Sequence, residues 1–175
     1  MASLLAVCEA VEKPVCSAAG TTRTWEMGMA DKERNESGAT QQARPPVAPY
    51  LTVSPAAAAI AFYSAAFGAS QKALMPSMDG MRILHCELQI NGGSVMLSDI
   101  FPEFGKTRVP IPGDLPSVSV SLEFASAAEV DAVFQRAKSL GATGETDPTN
   151  SFWGTRYAAL RDPFGHRWML NAPLG

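Results

Sequence analysis

The chain has 175 residues, 46% hydrophobic and 18% charged, which is enough for one sizeable core in one compact domain or two small fused modules. Its formal charge of -3 gives no electrostatic reason to expect nucleic acid or an anionic membrane, because both would favour a clustered excess of Lys and Arg. Cys8, Cys16 and Cys86 are odd in number and lack a CxxC spacing, which argues against a disulfide framework or zinc knuckle and fits a reducing, cytoplasmic compartment.

The opening MASLLAVCEAVEKPVC has an apolar run too short to span a bilayer and no basic segment before it, and Glu9 and Glu12 disfavour, without excluding, an organellar transit peptide. From Gly20 the composition turns polar and ends in ARPP. Residues 1–46 therefore read as a disordered tail or linker, with Met27 or Met29 a candidate start, and the folded domain is expected over 47–175.

VAPYLTV (Val47 to Val53) reads as a strand, with Pro49 near its start. Ser54-Pro55 reads as an N-cap with proline at the first helical position, opening AAAAIAFYSAAF, and Gly68 terminates that helix. SQKALM, RILHCELQI and SVMLSD follow as strands, joined through Asp79-Gly80 and Asn91-Gly92-Gly93, which are hairpin signals. A proline-rich connection runs from Ile100 to Pro116. The order then recurs: SVSVSLEF is a strand, Ser126 caps a helix that Gly141 ends, and GATGETDPTN leads into two strands around RDPFGHRWML. The expected fold is α+β, with two βαβββ modules at about 47–99 and 117–173 that enclose a cleft.

PYLTV with AIAFYSAAFGA, HCELQI, SVMLSD, and above all FWGTRY and DPFGHRW make the chain resemble the PhnB-like branch of the vicinal-oxygen-chelate superfamily, which includes glyoxalase I, bleomycin-resistance proteins and extradiol dioxygenases. The likeness covers about Val47 to Pro173. It implies the paired, cleft-enclosing sheets of that fold, and a homodimer, while leaving the reaction open because one scaffold serves many chemistries. Metal-using relatives hold a divalent ion with His, Gln or Glu from the first and fourth strands of each module. Carried onto this chain, those positions are Ala48, Met96, Ser119 and Met169, none of them a good ligand, so no metal or other cofactor is expected.

Other residues carry candidate chemistry. His85 and Glu87 are two apart in a strand and share a face; they read as a catalytic base with its orienting carboxylate, as half of an unconventional metal site, or as a polar pair on a solvated face. Trp153, Arg156 and Tyr157 read as a ligand wall with one fixed cation, or as packing with Arg156 exposed or paired to Asp162. Tyr50, Ser98, Ser119 and Ser121 share strand faces with the lost ligand positions and are expected to line the same cavity, offering hydroxyls to a ligand. The leading expectation is a metal-free small-molecule binder or sequestering protein of the bleomycin-resistance type. The alternatives are a divalent-metal (Zn, Ni or Mg) lyase or isomerase like glyoxalase I, and a protein-interaction module with a vestigial cleft.

Overall fold

The computed structural model describes residues 45–105, 108–111 and 113–175, so the tail expected over 1–46 lies outside the described residues except for its last two. The first module runs β1 (Tyr50–Val53), α1 (Ala56–Phe67), β2 (Ser70–Pro76), β3 (Ile83–Ile90) and β4 (Gly93–Asp99). The second repeats it as β5 (Ser119–Glu123), α2 (Ala127–Ser139), β6 (Thr143–Asn150), β7 (Thr155–Arg161) and β8 (Arg167–Pro173). Each module forms a four-stranded sheet, ordered β1-β4-β3-β2 and β5-β8-β7-β6, with the first strand parallel to the fourth and the others antiparallel. These are the two βαβββ units read from the sequence.

Local chemistry explains most boundaries. Asn91 and Gly92 both take positive φ (48° and 80°), the geometry of a tight hairpin turn matched to strand twist, and Ile90 pairs with Gly93 across it. Ser126 caps α2 by accepting from the Glu129 amide, and the Glu129 carboxylate accepts from the Ala125 amide in return. Gly68 ends α1 in the left-handed region at φ 70°.

Two expectations need correction. Ser54 does not cap α1: the N-cap is Pro55, and the first helical amide, Ala56, donates instead to the Asp99 carboxylate on β4 at 2.8 Å. The other Asp99 oxygen accepts from the Ile83 amide at 2.7 Å, so one buried carboxylate ties α1, β3 and β4 together. GATGETDPTN is not merely a lead-in, since most of it is β6. Pro148 is tolerated because β6 is an edge strand with register shifts, and Gly144 leaves room for the Phe134 ring, which an added Cβ would meet at 2.8 Å.

The helices cover one face of each sheet. Val53, Leu88 and Leu97 of the first sheet and Leu122, Leu160 and Leu170 of the second point toward them and are buried in a single core that spans both modules. α1 packs on β3 and β4, α2 on β6, β7 and β8, and the helices touch each other, with Arg136 of α2 donating to the Ala66 carbonyl of α1 at 2.8 Å. The alternate strand residues form two open faces away from the helices. None of the described helices is long and apolar enough to cross a membrane.

Candidate functional site

The RDPFGHRWML segment is the β7–β8 hairpin, and its Asp162 is the hinge pin between modules. One Asp162 oxygen accepts from the amides of Phe164 and His166, both at 2.9 Å, which sets the turn. The other accepts from the Trp168 indole at 2.8 Å and from the Tyr63 hydroxyl on α1 at 2.7 Å. Burial, and then the Asp162 charge, pushes the Tyr63 hydroxyl well above its ordinary range, so it stays a donor. His166 adds a second link: its Nε2 lies 3.1 Å from the Thr52 carbonyl on β1, and because a carbonyl only accepts, that nitrogen carries the hydrogen.

Above this hinge the connection between modules folds back as a roof. Arg161 holds it down by donating to the Asp114 carbonyl at 3.0 Å, and Pro110 rests on Gly165 so closely that a Cβ there would sit 2.7 Å from it. Beneath lies a cleft of about 330 Å³. Tyr50, Thr52 and His166 form its polar side, Val109, Leu115 and Val118 are among its apolar residues, and Arg108 and Asp114 bring one charge of each sign to its lining.

The open faces collect most residues singled out from the sequence. On the first sheet Tyr50 pairs in register with Met96, Glu87 sits opposite Met96 on the other side, and Ser98 follows on the same face. The Tyr50 hydroxyl and His85 Nδ1 share a hydrogen bond of 3.2 Å, with their rings 5.7 Å apart. Glu87 is buried and accepts from Ser94 at 3.3 Å, beside a second hollow of about 350 Å³ that also reaches Ala48 and Met96. Cys86, between them, faces the core, where burial and then Glu87 push its thiol up to about 11, so it is no nucleophile at neutral pH.

On the second sheet Ser119 and Ser121 pair with Arg167 and Met169. The Arg167 guanidinium donates to the Ser119 hydroxyl at 3.0 Å, to the Tyr157 hydroxyl at 3.3 Å and to Glu145 at 2.6 Å. Glu145 also accepts from Arg161 at 3.0 Å; partial burial would raise its carboxyl, but the bonds from Arg167 and Arg161 outweigh this and hold it low. Trp153 packs edge-on to Tyr157 at 5.7 Å and is half exposed.

Arg156 is not brought to this group. It points to the helix side, where it forms two bonds to Asp131 of α2 at 2.8 and 3.0 Å and one to Asn150 at 3.0 Å. Neighbouring strand residues face opposite ways, so the alternation that unites His85 with Glu87 also separates Arg156 from Tyr157. Sequence reasoning passed over Arg108, Arg161 and Arg167. The Asp-Pro-Phe-Gly turn pointed to Asp162 as a turn acceptor, but nothing local pointed to Tyr63.

The donor set does not fit the divalent ion of the metal-using relatives. Ala48, Met96, Ser119 and Met169 offer a methyl, two thioethers and one hydroxyl, and that hydroxyl already receives a guanidinium; hard divalent ions want carboxylate or imidazole donors. Among the described residues no group of three or more His, Cys, Asp or Glu could hold a metal ion.

Comparison with known proteins agrees with this architecture. The family model of the Glyoxalase/Bleomycin resistance protein/Dioxygenase superfamily matches residues 45–170. An uncharacterized protein of Mycobacterium tuberculosis is 37% identical over 148 residues, 85% of each chain. In structure, the chain is similar to a protein from Pseudomonas aeruginosa (24% identity, TM-score 0.59, 74% of this chain and 98% of that one). It is also similar to a putative 3-demethylubiquinone-9 3-methyltransferase, PhnB protein, from Bacillus cereus (17% identity, TM-score 0.57, 73% and 99%).

Proposed function

The chain belongs to the glyoxalase/bleomycin resistance protein/dioxygenase superfamily, and from that premise we propose that it is a metal-free, cytoplasmic small-molecule-binding protein of the bleomycin-resistance type. The ligand enters the cleft beside Tyr50, and the hydroxyls of Ser98, Ser119, Ser121 and Tyr157 with the Trp153 indole, on the open faces outside that lining, offer it further contacts. The observation that carries this reading is Arg167. Its guanidinium, held by Tyr157 and Glu145, donates to the hydroxyl of Ser119, one of the positions where a metal-using relative would present a ligand. A resident cation there repels a second one, while its charge-assisted bonds hold the hydroxyl face in one geometry for a ligand.

A homodimer is part of the proposal. Tyr50 is 50% exposed and Trp153 54%, and apolar rings standing at the open faces favour cover by a second copy. In sedimentation equilibrium the expected species is twice the chain mass; a monomer at micromolar concentration overturns this part.

The experiment for the metal-free reading is metal analysis of the purified protein, followed by a hemithioacetal isomerase assay with added Ni or Zn. The expected result is no stoichiometric ion and no turnover. A stoichiometric ion with turnover abolished by chelator overturns it and returns His85 and Glu87 to candidacy as ligands of a glyoxalase-type enzyme.

A further inference from the structure

The cleft beneath the connecting segment has a chemical bias, and, resting on the reading that this cleft is the ligand site, we propose that its ligand is a small apolar acid whose carboxylate is received by Arg108. Three features carry the inference. The first is size: about 330 Å³ lies at the lower end of small-molecule sites, suited to a body of one ring or a short branched chain.

The second is charge. Among the described residues around the roof and its anchor stand the three guanidiniums of Arg108, Arg161 and Arg167 and the two carboxylates of Asp114 and Glu145; Arg161 bonds the backbone carbonyl of Asp114, whose carboxylate makes no ion pair with the described residues. Arg161 and Arg167 share the single Glu145 carboxylate. One positive charge is left over, and Arg108 is the guanidinium that makes no ion pair or hydrogen bond with the described residues. It stands at the cleft with its donor fork unspent, and a planar carboxylate matches that fork in two parallel bonds.

The third is the lining. Val109, Pro110, Ile111, Leu115, Pro116 and Val118 line the cleft, with Leu115 92% and Val118 71% exposed, an open apolar surface that an inorganic anion would leave wet and a hydrocarbon body would dry. On the opposite side Tyr50 and His166 already have partners in His85 and the Thr52 carbonyl, so they do not compete for the charged head.

The test uses the full chain and three probes: phenylacetate, its neutral isostere phenylacetamide, and inorganic phosphate, followed by amide shifts of Thr52, Val118 and Gly165 in NMR titrations. Phenylacetate is expected to saturate these shifts at a concentration about tenfold below phenylacetamide, the ratio one charge-assisted contact supports, with phosphate weaker still. Arg108→Gln, on an exposed loop with no partner to lose among the described residues, should keep the melting temperature and abolish the preference. Equal affinity for acid and amide, or a preference that survives Arg108→Gln, overturns the carboxylate assignment while leaving the cleft a binding site. Tighter binding of phosphate than of phenylacetate overturns the apolar body. If no probe moves these amides, both this inference and the binding reading fail.

Discussion

The hydroxyl of Tyr63 donates to the carboxylate of Asp162 at 2.7 Å across 99 residues of chain, and by that bond the first module's helix is fastened to the second module's hairpin. Asp162 is buried and receives three further hydrogen bonds, from Trp168 and two backbone amides. Asp162→Ala strands two buried side-chain donors and opens the turn, and is expected to cost about 3–5 kcal/mol in urea unfolding, against about 1 kcal/mol for Tyr63→Phe. Equal costs for the two would mean that the module link, not the turn, is the whole of Asp162's contribution.

The same pair sets a limit in alkali. The Tyr63 hydroxyl is raised in the folded state, first by burial and then by Asp162, whereas in the unfolded chain it titrates near the ordinary tyrosine value of 10.0. Its contribution to stability is therefore fully present below pH 10 and is lost as pH rises beyond that toward the folded value. Wild-type unfolding free energy should fall above pH 10 more steeply than that of Tyr63→Phe. Parallel curves for the two proteins would refute the link.

Asp99 and Ser54 give a contrast. Because the α1 amide of Ala56 is capped by Asp99, which also holds Ile83, Asp99→Ala should cost about 2–3 kcal/mol. Ser54→Ala should stay within about 0.5 kcal/mol, as for surface changes that remove no cap. Chemical denaturation of the two variants measures both.

Gly165 couples the hairpin to the roof of the cleft. It sits at φ 91°, and an added Cβ would meet Pro110 at 2.7 Å, so Gly165→Ala must both adopt a disfavoured backbone and lift the roof. The expected loss is about 1–3 kcal/mol of stability, from strain and overpacking together, along with weaker phenylacetate binding. Stability loss with unchanged binding would separate the roof from the site.

Arg156 is paired to Asp131 on the helix side, with its side chain 23% exposed and that of Asp131 46%. Arg156→Ala should therefore cost up to about 1 kcal/mol, the range of partly exposed ion pairs, and leave probe affinity unchanged. A drop in affinity without loss of stability would restore it to the ligand wall.

What the sequence by itself determined is the set of short-range decisions. Asn91-Gly92 and Gly68 specify positive φ, Ser126 with Glu129 closes the first turn of α2, and strand alternation assigns His85, Glu87 and Cys86 to their faces. Each is settled within a few residues, so the two βαβββ modules could be read from the chain, and β6 was obscured only because an edge strand tolerates the glycine and proline that usually mark loops. Tertiary structure decided the rest. Asp99 reaches Ala56 across 43 residues, Asp162 reaches Tyr63 across 99, and His166 reaches Thr52 across 114. Neither periodicity nor turn chemistry specifies a partner at such a separation, because that choice depends on how two sheets and two helices share one core. Arg108 becomes a feature of a cleft only once the roof, its anchor on Arg161 and its rest on Gly165 are in place.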